Sequence, residues 1–557
     1  MAYGFEKPIL MLAHSPYVPP VDYKDLLQVH STAASCISSA NLWLAEIETS
    51  YLERRSKVQE HATEIQSAVV LQSINLGEDI AENEQQQDLL EYFIPTAIFQ
   101  EAIRTPQSVI YVGRKGTGKT ATLYKVADTL RKDPRNHVCI IKPVAYELEG
   151  VLELLRSSIS KAEQGYMLES LWKFLVYTEL AQSVVAELEA KPPHYVRRPE
   201  EEQLCKYVDE YSDLVRLEFT VRMERILKEL CQIDATQPIM QQRSRVSEIL
   251  HSKVLQQLRE ILGRALQKRE RVCVLIDNLD KAWTRDSNLA LLSDFLFGLL
   301  SVSRAISEEY QRSGVSWRQV RLSLLIFLRS DIFEHIMRVA RERDKLVFRR
   351  LDWNDHSLLQ NVIEERFMSK LDSSVLPDEI WTRFFVERVN QVHARDYITN
   401  HIIPRPRDMI YFCKAALARA VNLKHTIVEE IDILKAEEQY SHYAFNALEA
   451  ETGAQLEHLE KLAYQFVGVD EIVTRDQIVQ FAEKAGIALE RTQYVIDLLC
   501  EATFLGLETG KDRFEFMYDE NREEVIRALA RKIAEATGQE RFLINLPFHS
   551  FLEINKG

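Results

Sequence analysis

Glycines at positions 113, 116 and 118, followed at once by Lys119 and Thr120, are the residues of this chain whose types and spacing point most directly to chemistry. A phosphate chain can be wrapped by backbone N–H groups only where side chains are absent. The run Gly113-Arg114-Lys115-Gly116-Thr117-Gly118-Lys119-Thr120-Ala121 fits G-x-x-x-x-G-K-[ST] in full. Lys119 would supply a point charge for the β- and γ-phosphates, Thr120 a hydroxyl for Mg²⁺, and the helix opening there its N-terminal dipole. An apolar run, 108–112, precedes the glycines and a helix-like run follows, as the motif requires.

A second run, Val272-Cys-Val-Leu-Ile-Asp277-Asn278-Leu279-Asp280, delivers an acid at the end of an apolar strand. Asp277 is therefore expected to hold the water shell of Mg²⁺, and Asp280, three residues on, to orient or deprotonate the attacking water. Phosphoryl transfer spreads negative charge over equatorial oxygens, so arginines come next. Arg329 ends another apolar run and is expected at the γ-phosphate. Arg338, Arg341 and Arg343 lie where a neighbouring subunit's site could be met, and Arg405 and Arg407 open a helix in Pro404-Arg-Pro-Arg-Asp408.

Five β-type runs position these groups: 108–112, 137–142, 272–276, 320–328 and 346–351. All but the last are nearly continuous apolar runs, as strands covered on both faces should be. The expected class is α/β: a doubly wound parallel P-loop sheet with a large helical insertion, a helical lid and a C-terminal winged-helix-like domain. The divisions follow: a helical region 1–74, the first part of the core 75–145, the insertion 146–270, the second part of the core 271–355, the lid 356–449 and the winged-helix-like region 450–557. In the first region 23–70 reads as helix, bracketing the core, with Leu26, Leu27, Val29, Leu42, Leu44, Ile47, Tyr51 and Leu52 as buried positions. The lid reads as all-helical, with a capping box at Thr426-x-x-Glu429. A second box at Thr474-x-x-Gln477 opens the C-terminal helices, which precede a hairpin within 504–518.

The chain has 557 residues, 46% hydrophobic and 27% charged, with a net charge of −15. That balance argues against a broad nucleic-acid-binding surface. The helix at the recognition position, 490–501, carries Glu490, Asp497 and Glu501 against Arg491 alone, so DNA binding through it is disfavoured. The seven cysteines show no C-x-x-C pair and read as reduced residues of a cytoplasmic protein. The run 8–13 is too short for a secretory signal, and no run has membrane-spanning length.

Together the glycine loop, Asp-x-x-Asp, the strand-end arginine, the lid and the winged helix resemble the AAA+/STAND branch of P-loop ATPases, which includes KAP, NACHT and origin-recognition-type ATPases. A closer resemblance is to a prokaryotic P-loop ATPase family, over roughly 75–518. It rests on Ala81-Glu82, Tyr92-Phe93, the GRKGTGKTA loop, Ile276-Asp-Asn-Leu-Asp280 and Arg405-Pro-Arg-Asp408. The resemblance implies ATP as ligand, with Tyr92, Phe93 and Ile94 near the adenine. It further implies a slowly hydrolysing assembly switch in anti-phage defence or stress signalling, as a homo-oligomer or beside a separately encoded effector. Asn278 stands where many AAA+ proteins carry a catalytic Glu. The rival expectation is an initiator-like ATPase that loads onto DNA; a P-loop kinase would leave the insertion and winged helix without a purpose.

Overall fold

The computed structural model describes residues 10–17, 27–61, 71–143, 161–230, 238–249, 255–279, 289–312, 318–339, 346–371, 375–452, 458–518 and 522–556. Near the start, β1 (Met11–His14) and β2 (Leu27–His30) pair in parallel, and a helix follows at Ala33–His61. At the centre lie β3 (Val109–Gly113), β4 (Asn136–Ile141), β5 (Arg271–Ile276), β6 (Leu322–Arg329) and β7 (Phe348–Arg350). They form one parallel sheet in the order β4-β5-β6-β3-β7. The five runs expected from sequence are these strands, with ends shifted by a residue or two.

Alternation along each strand builds two cores. Ile110 and Val112 join Val274, Ile326 and Leu328 on one face, under helices Lys161–Glu189, Gln256–Leu266 and Leu289–Gln311. Val109 and Tyr111 join Cys273, Leu275 and Phe327 on the other, under Ala97–Arg104 and Lys119–Arg131. The sheet is therefore doubly wound, and ligands of such sheets bind outside the carboxyl ends of the strands. The described apolar residues between 167 and 266 share their core with the sheet: Trp172 is buried at 4.7 Å from Phe295 and donates from Nε1 to the Phe295 carbonyl at 2.8 Å. At Gly298 a Cβ would stand 3.0 Å from that of Leu168, so glycine sets the approach of these two helices.

Beyond β7 the lid helices His356–Met368, Glu379–Phe384, Ala394–Asn400, Pro406–Leu423 and Glu430–Thr452 share one core with the C-terminal module. The module has helices Leu459–Ala463, Arg475–Lys484, Thr492–Glu501 and Glu523–Thr537. Its antiparallel sheet runs β10 (Ile472–Thr474), β13 (Arg541–Ile544), β11 (Leu505–Gly510), β12 (Arg513–Glu515). The capping box at Thr474 and Gln477 is formed, and the hairpin is β11–β12.

Four expectations are corrected. Residues 27–30 are strand, not helix, because their partner is a distant segment that local periodicity cannot register. Val29, Leu42 and Leu44 are exposed, while Ile47 is half-buried; Leu26 and the side chains of Tyr51 and Leu52 lie outside the described residues. The lid also contains a hairpin, β8 (Arg388–Val389) with β9 (Val392–His393), turned by Asn390 and Gln391, both at positive φ, as a two-residue hairpin turn demands. Thr426 does not cap the helix that follows it. That helix begins at Glu430, and the Glu429 N–H donates to the Asp432 carboxylate at 3.0 Å, moving the cap three residues along. Val428 is held back by a bridge to Phe385.

Described cysteines 36, 139, 205, 273, 413 and 500 are free, and all but Cys36 are buried. No helix among the described residues is long and apolar enough to cross a membrane.

Trp172→Ala removes both a large buried ring and a buried donor. The expected cost is about 3–5 kcal/mol of stability, read as a lowered denaturation midpoint by tryptophan fluorescence or circular dichroism; an unchanged midpoint would separate the 161–189 helix from the core.

Candidate functional site

Gly113 ends β3, an interior strand between β6 and β7, in register with Arg329 at the end of β6. The loop from here to Lys119 can present N–H groups to a ligand only if its carbonyls turn away and find donors elsewhere. The carbonyls from Gly113 to Gly118 all have one. Lys119 Nζ donates to Gly113 O at 2.8 Å and Arg114 O at 2.9 Å. Thr117 Oγ1 also donates to Arg114 O, at 2.8 Å. Arg405 Nη1 donates to Lys115 O at 2.9 Å, the Arg407 N–H to Gly116 O at 3.4 Å and Trp353 Nε1 to Thr117 O at 3.0 Å. Thr122 donates to Gly118 O from its N–H and its hydroxyl.

Gly116 and Gly118 have φ of +87° and +84°, conformations that favour glycine. At Gly116 a Cβ would also stand 3.1 Å from that of Arg407, so the loop and the lid helix Pro406–Leu423 touch at a residue without a side chain. Helix Lys119–Arg131 starts directly after Gly118, and its first turn leaves N–H groups without intrahelical acceptors.

On the metal side, Thr120 Oγ1 lies 2.9 Å from Asp277 Oδ2 and 3.2 Å from Glu82 Oε1. Asp277 is buried at the end of β5, with Lys142 Nζ at 3.8 Å. Among the described residues no cluster of three or more His, Cys, Asp or Glu could hold a metal alone. A hydroxyl beside carboxylates does fit Mg²⁺, which is bound by one or two carboxylates together with substrate phosphates. Asn278 follows at φ +65°. Asp280 lies outside the described residues, as do Arg341 and Arg343.

These groups open on a cavity of about 430 Å³. Lys115, Gly116, Gly118, Lys119, Thr120 and Ala121 line one wall, with Asp277 and Arg329; Tyr92, Phe93, Ile94 and Arg407 line it too. Gly113, Arg114 and Thr117, expected as binding residues, are not among its walls. Gly113 is the strand end, where a Cβ would meet Thr117 Oγ1 at 2.5 Å, and the Thr117 hydroxyl closes the loop on itself. Arg114 turns the other way, donating to the Met517 carbonyl in the C-terminal module.

Sequence reasoning had no signal for several wall residues. Arg366, Val362 and Ile410 come from lid helices, and Trp353 from the segment after β7. Arg366 stacks on the Tyr92 ring at 4.2 Å, pairs with Glu84 at 3.5 Å and donates to the Leu76 carbonyl. Burial pushes the Tyr92 hydroxyl well above its ordinary range, and Glu84 adds to the effect.

Arg405 is the centre of a buried charge cluster. It pairs with Glu451 at 2.7 Å and stands 3.8 Å from Asp408, which accepts from the Tyr440 hydroxyl at 2.7 Å. Burial works against the Arg405 charge, yet Glu451 and Asp408 outweigh it and hold its pKa above the ordinary value. Burial likewise opposes Glu451, but Arg405 prevails and keeps that carboxyl low. Arg114 has less compensation: burial, with Arg405 nearby, brings its pKa down to about 10.

Two other arginines are engaged within the chain. Arg329 pairs with Asp331 through two hydrogen bonds, at 3.0 and 2.6 Å, while lining the cavity. Arg338, expected to face a neighbouring subunit, pairs with Glu501 of its own C-terminal module at 3.1 Å.

Residues 357–449 match the FunZ-associated C-terminal helical domain family, which places that family's domain in the lid. A transposon gamma-delta 80.3 kDa protein of Escherichia coli (strain K12) is 22% identical over 366 residues, covering 64% of this chain and 48% of its own length. This chain thus spans about half of that curated relative. Among solved structures, Aeropyrum pernix ORC2 in ADPNP–ADP complexes is 13% identical with a TM-score of 0.37, covering 82% of this chain and 96% of its own. A. pernix ORC1 in complex with DNA is 12% identical with a TM-score of 0.36 over 84% and 96%. The Thermotoga maritima RuvB branch migration motor is 12% identical with a TM-score of 0.29 over 81% and 98%. These values are too low to carry a residue role or a partner across.

Lys119→Ala removes the cation at the glycine loop and its bonds to the Gly113 and Arg114 carbonyls, of which Arg114 O keeps the Thr117 hydroxyl. The thermal shift induced by Mg-ATP in the wild type is expected to vanish; its persistence at full size would refute the loop's assignment.

Proposed function

We propose that this chain binds Mg-ATP in the 430 Å³ cavity, hydrolyses it slowly and uses the nucleotide to set the arrangement of lid and C-terminal module, as an AAA+/STAND-like switch. The observation that carries this reading is the origin of the loop's donors. Lys115 and Gly116 carbonyls are held by Arg405 and Arg407 of the lid, and Arg114 reaches the C-terminal module. A ligand that reshapes the loop must therefore act on both.

Within the site, Lys119, now folded onto the loop carbonyls, would swing to the phosphates, and Arg329 and Arg407 would meet the γ-phosphate side. Tyr92, Phe93 and Ile94 would pack on the base. Thr120 and Asp277 would hold Mg²⁺, which neutralises charge developing on the phosphate oxygens. Asp280 is proposed to orient the attacking water.

Assembly into a homo-oligomer, or with a separately encoded effector, belongs to the same proposal; a role in prokaryotic defence or stress signalling rests on the family resemblance alone. Arg338 can reach a neighbour only after leaving Glu501, an exposed pair that costs little to break. The DNA-loading rival is disfavoured by the helix Thr492–Glu501. Asp497 and Glu501 on it are both engaged by Arg527 of the same module, so its acids stand where a DNA-reading helix needs cations.

Asp280→Ala is expected to bind ATP but to lose about 100-fold or more in turnover, the scale of a lost general base; wild-type turnover would place the base elsewhere. Light scattering with a non-hydrolysable ATP analogue should show a change in mass, and duplex DNA anisotropy at about 150 mM salt should show only weak binding. Submicromolar DNA affinity with no change in mass would reverse the ranking.

A further inference from the structure

The Thr120 hydroxyl has one proton and two carboxylate oxygens in reach, Asp277 Oδ2 at 2.9 Å and Glu82 Oε1 at 3.2 Å. Asp277 is accounted for by the strand-end acid that a P-loop site needs. Glu82 is not. It stands on the segment 77–84, ahead of β3 in the chain, and lines the same cavity.

That segment is fastened to the lid. Lys414 of the helix Pro406–Leu423 pairs with Glu78 at 3.0 Å and lies 4.0 Å from Asp79. Arg366 of His356–Met368 pairs with Glu84 at 3.5 Å, both side chains being 5% exposed. Gly77 turns at φ +72°, where a Cβ would meet Glu84 Oε2 at 2.3 Å, Tyr92 Oη at 2.8 Å and Arg366 Nη1 at 2.9 Å. The turn is thus shut on the lid side, and Glu82 is carried out over Thr120.

We propose that Glu82 is a second carboxylate of the Mg²⁺ site, a positioning residue that accepts a hydrogen bond from the Thr120 hydroxyl or from a metal-bound water and so orients the Thr120 lone pair toward the ion. Because its segment is tied to Arg366 and Lys414, the lid's position sets whether this carboxylate is present. Opening the lid would withdraw Glu82 and weaken metal binding without touching Asp277. Lid closure and a complete metal site are then one event. The inference rests on the nucleotide-binding reading and adds a regulator to the same site.

Hard-ion sites lose about 10–100-fold in affinity or activity when an outer-shell partner is removed. Binding of a non-hydrolysable ATP analogue is measured by calorimetry in Mg²⁺ and in EDTA, and the ratio of the two affinities is the Mg²⁺-dependent gain. Glu82→Gln, which keeps the shape and removes the charge, should shrink that gain about tenfold. Lys414→Met, remote from the ion, should shrink it about twofold, as expected when an exposed ion pair of the strap is lost. A wild-type gain in Glu82→Gln would overturn the proposal, and a wild-type gain in Lys414→Met would overturn its coupling to the lid. A wild-type chain that binds no nucleotide at all would overturn the nucleotide reading itself, a result distinct from either.

Discussion

A loop that offers its N–H groups to an anion must settle its carbonyls somewhere else, and in this protein some of the donors come from outside the loop. Buried backbone groups are nearly always paired, so these donors help to hold the loop's shape. Lys119, Thr117 and Thr122 are local donors, close in sequence to the carbonyls they satisfy. Trp353, Arg405 and Arg407 are not: they arrive from beyond β7 and from the lid. The shape of the glycine loop is therefore a joint product of the sheet and the lid.

The cluster around Arg405 carries this dependence further. Taking a guanidinium out of water is costly, and removing one partner of a buried pair typically costs about 3–5 kcal/mol. Glu451, at the far end of the lid, keeps Arg405 charged, and Arg405 holds the Lys115 carbonyl. Arg114, one residue before Lys115, extends the contact to Met517. Loop, lid and C-terminal module thus meet around buried arginines, and loss of Glu451 would leave Arg405 with only the more distant Asp408.

The C-terminal module shows how topology and use can part. Three helices and a hairpin occur in winged-helix order, and the third helix sits where a DNA-reading element would lie. Its acids are instead bound to Arg527 and Arg338. Burial raises the Glu501 carboxyl pKa despite Arg338 and Arg527 beside it, as expected of a group packed into an interface. One ion pair, Glu501 with Arg338, joins this helix to the helix Ser330–Val339.

Much of this was legible in the sequence where the cause is local. Glycine at positive φ, a lysine and threonine at a helix start, and apolar runs long enough for covered strands follow from spacing and residue type, and the sheet and loop are where those features put them. The Thr474 capping box, the β11–β12 hairpin and the acid following β5 were equally readable. The β1–β2 pairing depends on a partner from another part of the chain, and the start of the helix at Glu430 on the bridge of Val428 to Phe385, which periodicity does not encode; the lid hairpin is local, but its Asn-Gln turn carries no glycine to mark it. The same holds at the site: Arg405-Pro-Arg407-Asp408 could be recognised as a motif, but which arginine would brace the loop and which would line the cavity was decided by packing. Arg114, inside the motif yet turned toward Met517, and Glu82, outside it yet beside Thr120, mark the limit. Residue types within a motif are set by the chemistry they must perform, whereas the direction of a side chain is set by which buried donors and acceptors the folded chain leaves to be satisfied.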